Sequence, residues 1–151
     1  MELELHDVGL RLLVASAVGG AIGINRDVEG KPIGMRTLGL VALSAAIVSV
    51  AVIQVPGMAE HPDALSRVVQ GIVQGVMAGI GFIGAGVILR DRKAGTVRGL
   101  TTAATVWVTA ALGIACGLGA WRVVVIGTIV ALLLLVLVKG FEHLFKMRSD
   151  H

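Results

Sequence analysis

The chain has no tyrosine, three phenylalanines, two tryptophans and a single cysteine in 151 residues. So few aromatics leave almost nothing for nucleobases to stack on. The net charge of +3 and pI of about 9.6 therefore do not indicate nucleic acid. A lone cysteine, Cys116, forms no intrachain disulfide and belongs to no metal-spaced set; its spacing fits a small apolar packing residue. Charge is scarce too. Asp, Glu, Lys and Arg make up 15% of the chain, against about 25% in soluble domains. A soluble protein of this size would not cover its surface with so few charges. The three prolines, Pro32, Pro56 and Pro62, all avoid the centres of apolar runs, where lipid could not replace a lost backbone hydrogen bond.

What is present is long uncharged sequence. Residues 37–59, 68–89 and 99–121 each carry no Asp, Glu, Lys or Arg, and each reaches the roughly 20 residues that a membrane helix requires. Residues 123–138 form a fourth run, which reaches that length if Lys139 extends to the headgroups. Ahead of them, residues 12–24 form a shorter run after Glu2, Glu4 and Asp7, an acidic start unlike a signal peptide. These runs predict an all-α membrane bundle of five spans, at about 8–25, 37–56, 67–89, 99–118 and 121–140, in a single domain over 1–151. The first span is short or tilted, with Arg11 reaching outward. A helix lying in the interface is the alternative for that segment.

The basic residues orient the bundle. Arg26, Lys31 and Arg36 follow span one, Arg90, Arg92, Lys93 and Arg98 follow span three, and Lys139, Lys146 and Arg148 follow span five. Arg11, Arg67 and Arg122 fall on the opposite side, with most of the acidic residues of the first half. The positive-inside rule puts the N-terminus outside and the C-terminus in the cytoplasm.

Glycine is plentiful, at 21 residues. In span three Gly71, Gly75 and Gly79 repeat every four residues and Gly81, Gly84 and Gly86 follow, a spacing that predicts close packing against span four. A kinked or unwound helix around an ion is the alternative. Gln70 and Gln74 share one face of that span, and Thr101, Thr105 and Thr109 share a face of the next. They fit interhelical hydrogen bonding or, alternatively, a hydrated path between the two helices. No Asp or Glu lies within the four uncharged runs, and the four histidines stand at 6, 61, 143 and 151, outside span centres. A carboxylate-based ion carrier is disfavoured accordingly. No arrangement of nucleophile and base and no phosphate-binding loop points to an enzyme, and no cofactor is expected.

A weak repeat links two loops. Gly20-Ala21 precede Arg26-Asp27 by the spacing at which Gly84-Ala85 precede Arg90-Asp91. If these loops meet, Asn25, Arg26, Asp27, Arg36, Thr37, Arg90, Asp91, Arg98, Thr101 and Thr102 gather in one cytoplasmic cluster, able to dock a partner protein or an anionic headgroup. Ordinary basic loops touching lipid would give the same composition.

Four blocks also carry a resemblance. Gly34-Met35-Arg36-Thr37, Gly81-Phe82-Ile83-Gly84-Ala85-Gly86-Val87-Ile88, Val97-Arg98-Gly99-Leu100-Thr101-Thr102-Ala103-Ala104 and Thr109 through Gly119 resemble the MgtC/SapB family over about residues 8–140. The likeness is to its short SapB-like type, without a C-terminal soluble domain. Relatives commonly carry an acidic residue where this chain has Asn25, and many virulence-type members have Asn in place of Thr101. The resemblance implies a bacterial inner-membrane protein linked to growth in low magnesium, and to virulence in some members. For the namesake type it implies a regulator that inhibits the ATP synthase; the departures set this chain apart from that type. Two functions are thus expected: a membrane regulator acting by helix–helix contact, or a transporter or channel for Mg²⁺ or another cation. The partners expected are the bilayer, a membrane protein and, given spare glycine surface, further copies of the chain.

Overall fold

The computed structural model describes the backbone of residues 3–56, 61–89 and 99–149, and the side chains of 3–56, 61–88 and 99–137. Five helices follow one another: α1 (Leu5–Val28), α2 (Met35–Ile53), α3 (Pro62–Leu89), α4 (Leu100–Gly117) and α5 (Trp121–Ser149). The described residues contain no strand. Helices α1 to α4 are each long and apolar enough to cross a membrane. The apolar part of α5, Trp121–Leu137, is shorter, at roughly 26 Å for 1.5 Å per residue. The chain is a multi-pass helical membrane protein.

Helices α1, α2 and α4 form the centre, α3 lies mainly on α4, and α5 lies against α4 and α1. The centre is built from small side chains. Ala15, Ala42, Ala46, Ala115, Cys116 and Val124 make one cluster; Ile22, Ile33, Leu38, Val106 and Leu112 make the other. Cys116 is fully buried, as a packing residue would be. Lipid tails are as apolar as leucine, so burial alone does not hold such helices together. Close van der Waals contact does, and glycine sets how close.

Two glycine pairs spaced by four residues make the tight seams. Gly19 and Gly23 of α1 face α2, and a Cβ on Gly19 would stand 2.9 Å from the Ala42 Cβ and closer still to the Leu38 carbonyl. A Cβ on Gly23 would run into the backbone of Gly34 and Met35. From the other side, Cβ atoms on Gly113 and Gly117 of α4 would stand 2.8 Å from the Ala42 Cα and 2.7 Å from the Ala46 carbonyl oxygen. Helix α2 is thus gripped between two seams, with its own alanines in the middle.

The seam expected along α3 is not where these helices meet. Among the described residues, a Cβ at Gly71, Gly75, Gly79, Gly81 or Gly86 would touch nothing within 4 Å, and of these glycines and Gly84 only Gly84 contacts α4, through Ala103 at 3.4 Å. The reason is competition. The small face of α4 is already occupied by α2, and α3 rests on what remains through Ile80 and Val87. Nor is α3 unwound: it is continuously helical from Pro62 to Leu89.

The first span also differs from its expected bounds. It is a full-length helix of 24 residues, and Arg11 near its start is half-buried against the end of α4. Its Nη1 donates to the Gly117 carbonyl at 2.7 Å, and its guanidinium lies against Gly119. The last carbonyls of α4 lack helical partners and carry the negative end of the helix dipole, so a nearby cation is favoured there.

Candidate functional site

At the opposite end of the bundle, the end of α1 meets the start of α4. Arg26 occupies the last turn of α1 and is only 2% exposed. Its Nη2 donates to the hydroxyl of Thr102, which is likewise buried in the first turn of α4. Nη1 lies 3.8 Å from the Glu29 carboxylate, an ion pair too long for a hydrogen bond. Arg26 Nε and the neighbouring Asn25 Oδ1 are buried without a hydrogen-bond partner among the described residues. Among the described residues this buried cation is held by one hydroxyl and one distant carboxylate, against a cost of several kcal/mol for removing a charge from water.

Asp27 does a different job. Its Oδ2 accepts a 2.9 Å hydrogen bond from the Met35 backbone N–H, the first of α2. An acidic group at that place satisfies an orphan donor and complements the positive end of the helix. Gly34 makes this possible, since a Cβ there would collide with the Asp27 carboxylate. The Gly34-Met35 step thus has a local structural reason: the chain passes close over the end of α1 before turning into α2.

Of the residues expected to gather here, the structure brings Arg26 and Thr102 together and places Asn25 and Asp27 beside them. Arg36 and Thr37 are exposed in the first turn of α2, and Thr101 is exposed in the first turn of α4. Arg90, Asp91 and Arg98 lie outside the described residues. Gly34, quoted in the sequence only as part of a family-like block, belongs to the site, and so does Glu29, which was not singled out by sequence. A carboxylate three residues after Arg26 on the same helix was the available signal for Glu29.

The Thr and Gln stripes do not face one another. Thr105 and Thr109 are buried, and their hydroxyls donate to the carbonyls of Thr101 and Thr105 at 2.7 and 2.8 Å. Hydroxyls turned onto their own helix backbone do not line a path. Gln70 and Gln74 point away from the bundle, exposed, with no hydrogen bond among the described residues. No group of three or more His, Cys, Asp or Glu able to hold a metal occurs among the described residues.

The MgtC family model matches residues 12–144, nearly the whole bundle. The chain belongs to the MgtC family. Protein SrpB of Synechococcus elongatus is 46% identical over 145 residues, covering 91% of this chain and 76% of SrpB. Protein MgtC of Salmonella typhimurium is 41% identical over 123 residues, covering 82% of this chain and 48% of that protein. The chain therefore spans most of SrpB and about half the length of the Salmonella MgtC. No solved structure matches. The MgtC family match takes in every element of the site: the end of α1, the Gly34-Met35 turn and the first turn of α4.

Proposed function

We propose that this chain is a regulatory protein of the bacterial inner membrane, linked to magnesium homeostasis and membrane energetics, that acts by helix–helix contact with another membrane protein. Its basic loops at the Arg26 end face the cytoplasm. The link to magnesium comes from the family; the mode of action rests on one observation, the uncovered face of α3.

Among the described side chains of α3, only Gly84 is buried. The exposed face carries Ser66, Gln70 and Gln74 beside Gly71, Gly75 and Gly79. Gln70 and Gln74 lie roughly 12 and 18 Å along the helix from its start, within a hydrocarbon layer of about 30 Å. Carboxamides at that depth seek a partner, and flanking glycines let its backbone come close. The other outer helix makes the contrast: α5 exposes Val123, Val125, Ile126, Ile129, Leu133 and Leu134, side chains that lipid suits. Helix α3 also exposes Val73, Phe82 and Ile83, so what sets it apart is the stripe of carboxamides and glycines beside them.

The second reading, a transporter or channel for Mg²⁺ or another cation, draws on the same face, since carboxamides between assembled copies could line a path. Mg²⁺ entry into liposomes holding the purified, folded protein separates the two. The regulator reading expects an internal Mg²⁺-sensitive dye to respond no faster than in protein-free liposomes. Flux above that control, lost in Gln74→Leu, would replace it with transport.

A further inference from the structure

Helix α3 turns one continuous line of side chains away from the bundle. Asp63, Arg67, Gln70, Gln74, Ala78 and Gly81 follow one another at steps of three or four residues, the spacing of a single helix face, and every one is exposed. The chemistry of this line changes with depth. It begins with charge, continues with two carboxamides and ends in small residues. Helix α3 has 28 residues and is about 42 Å long, against a hydrocarbon layer of about 30 Å. Arg67, roughly 8 Å from the start of the helix, therefore lies near the headgroup boundary, just outside the level of Gln70 and Gln74.

The two charges at the head of the line differ in what they already do. Asp63 stands in the first turn of α3, where a carboxylate complements the positive end of the helix. Arg67, one turn on, has no such role. Among the described residues it makes neither a hydrogen bond nor an ion pair. Its charge is available to whatever packs on this face.

These charges distinguish between two occupants. Copies of one membrane protein share an orientation, so two α3 helices would pack in parallel about a two-fold axis. Each residue near the axis then meets its own counterpart. Carboxamides and small residues suit that arrangement, but it sets Arg67 against Arg67 and Asp63 against Asp63, and like charges brought together disfavour the pairing. A different helix with a carboxylate opposite Arg67 turns the same guanidinium into an attraction, with the two-pronged geometry that carboxylates fit.

We propose that the α3 contact face, on which this inference rests, takes a transmembrane helix of another protein that carries a carboxylate at the depth of Arg67 and hydrogen-bonding side chains opposite Gln70 and Gln74. Deeper in the membrane, Ala78 and Gly81 leave room for its apolar side chains.

Energy transfer in phosphatidylcholine vesicles at pH 7 tests it. Full-length protein carries the donor at its amino terminus, and synthetic apolar transmembrane peptides carry the acceptor. The peptides share an alanine seam and two serines placed one and two turns inside one end, and differ at that end in a single Glu, Gln or Lys. The Glu peptide is expected to bind about fivefold more tightly than the Lys peptide, with Gln between them. Arg67→Glu is expected to reverse that order, and Gly75→Val to weaken all three peptides. Arg67 is exposed, and a Cβ at Gly75 meets nothing within 4 Å, so both variants keep the fold. Peptides that Gly75→Val weakens but that bind equally well with Glu or Lys, or in an order that Arg67→Glu leaves unchanged, overturn the carboxylate and spare the α3 contact face. Binding that Gly75→Val does not weaken overturns both. Donor- and acceptor-labelled copies of the protein, mixed in the same vesicles, are expected to show no transfer above random encounter. Transfer between copies that Gly75→Val removes would give the face to a second copy and overturn the proposal.

Discussion

Single side chains at the helix ends do much of the positioning, and two of them make separable predictions. Arg11 closes the C-terminal end of α4 through the Gly117 carbonyl. Arg11→Met keeps most of the stem and loses the charge, and is expected to lower stability by about 1–2 kcal/mol. Asp27→Ala removes the acceptor for the first N–H of α2 and is expected to cost about 1 kcal/mol. Both are read as unfolding midpoints in detergent. Sequence reasoning picked out Asp27 and Arg26 because they end an apolar run in a recurring block. It did not separate their roles, since one faces a backbone N–H eight residues on and the other a hydroxyl on a distant helix. It placed Arg11 at the outer end of the first span, and only the fold shows that the carbonyl of Gly117 lies within its reach.

At the scale of helices, the same residue type has opposite consequences in different places. Gly113→Val puts branched carbons where the Ala42 backbone already stands, and is expected to destabilise by roughly 1–3 kcal/mol. Gly75→Val meets open space within the chain and is expected to leave stability within about 0.5 kcal/mol of the parent, while weakening any partner contact through α3. Equilibrium unfolding of the two variants checks the pair. The number and order of helices were legible in the sequence because uncharged length and flanking charge are local properties. The seams were not. Four-residue glycine spacing occurs in α1, α3 and α4, and the longest repeat, in α3, drew the expectation. Which of these stripes pairs is decided by α2, whose alanines fit between α1 and α4 and leave α3 outside.

Taken whole, the molecule is a small-residue core of three helices carrying two outer helices of different character. The arrangement explains how so small a bundle offers a polar face to the membrane without losing internal packing: α3 contributes little to the core, so its outward face is free to be specified by something else. Family membership was legible from the order of four blocks along the chain. The outward turn of Gln70 and Gln74 was not, because helical spacing groups residues on a face without saying where that face points. The most direct test of the account is site-specific photo-crosslinking in living membranes, with the photoreactive residue placed at Gln74 or Gly75 of α3, and at Leu134 of α5 for comparison. The account predicts a discrete adduct with another membrane protein from the α3 positions and only lipid adducts from α5. Adducts of twice the chain's mass, or no difference between the two helices, would contradict it.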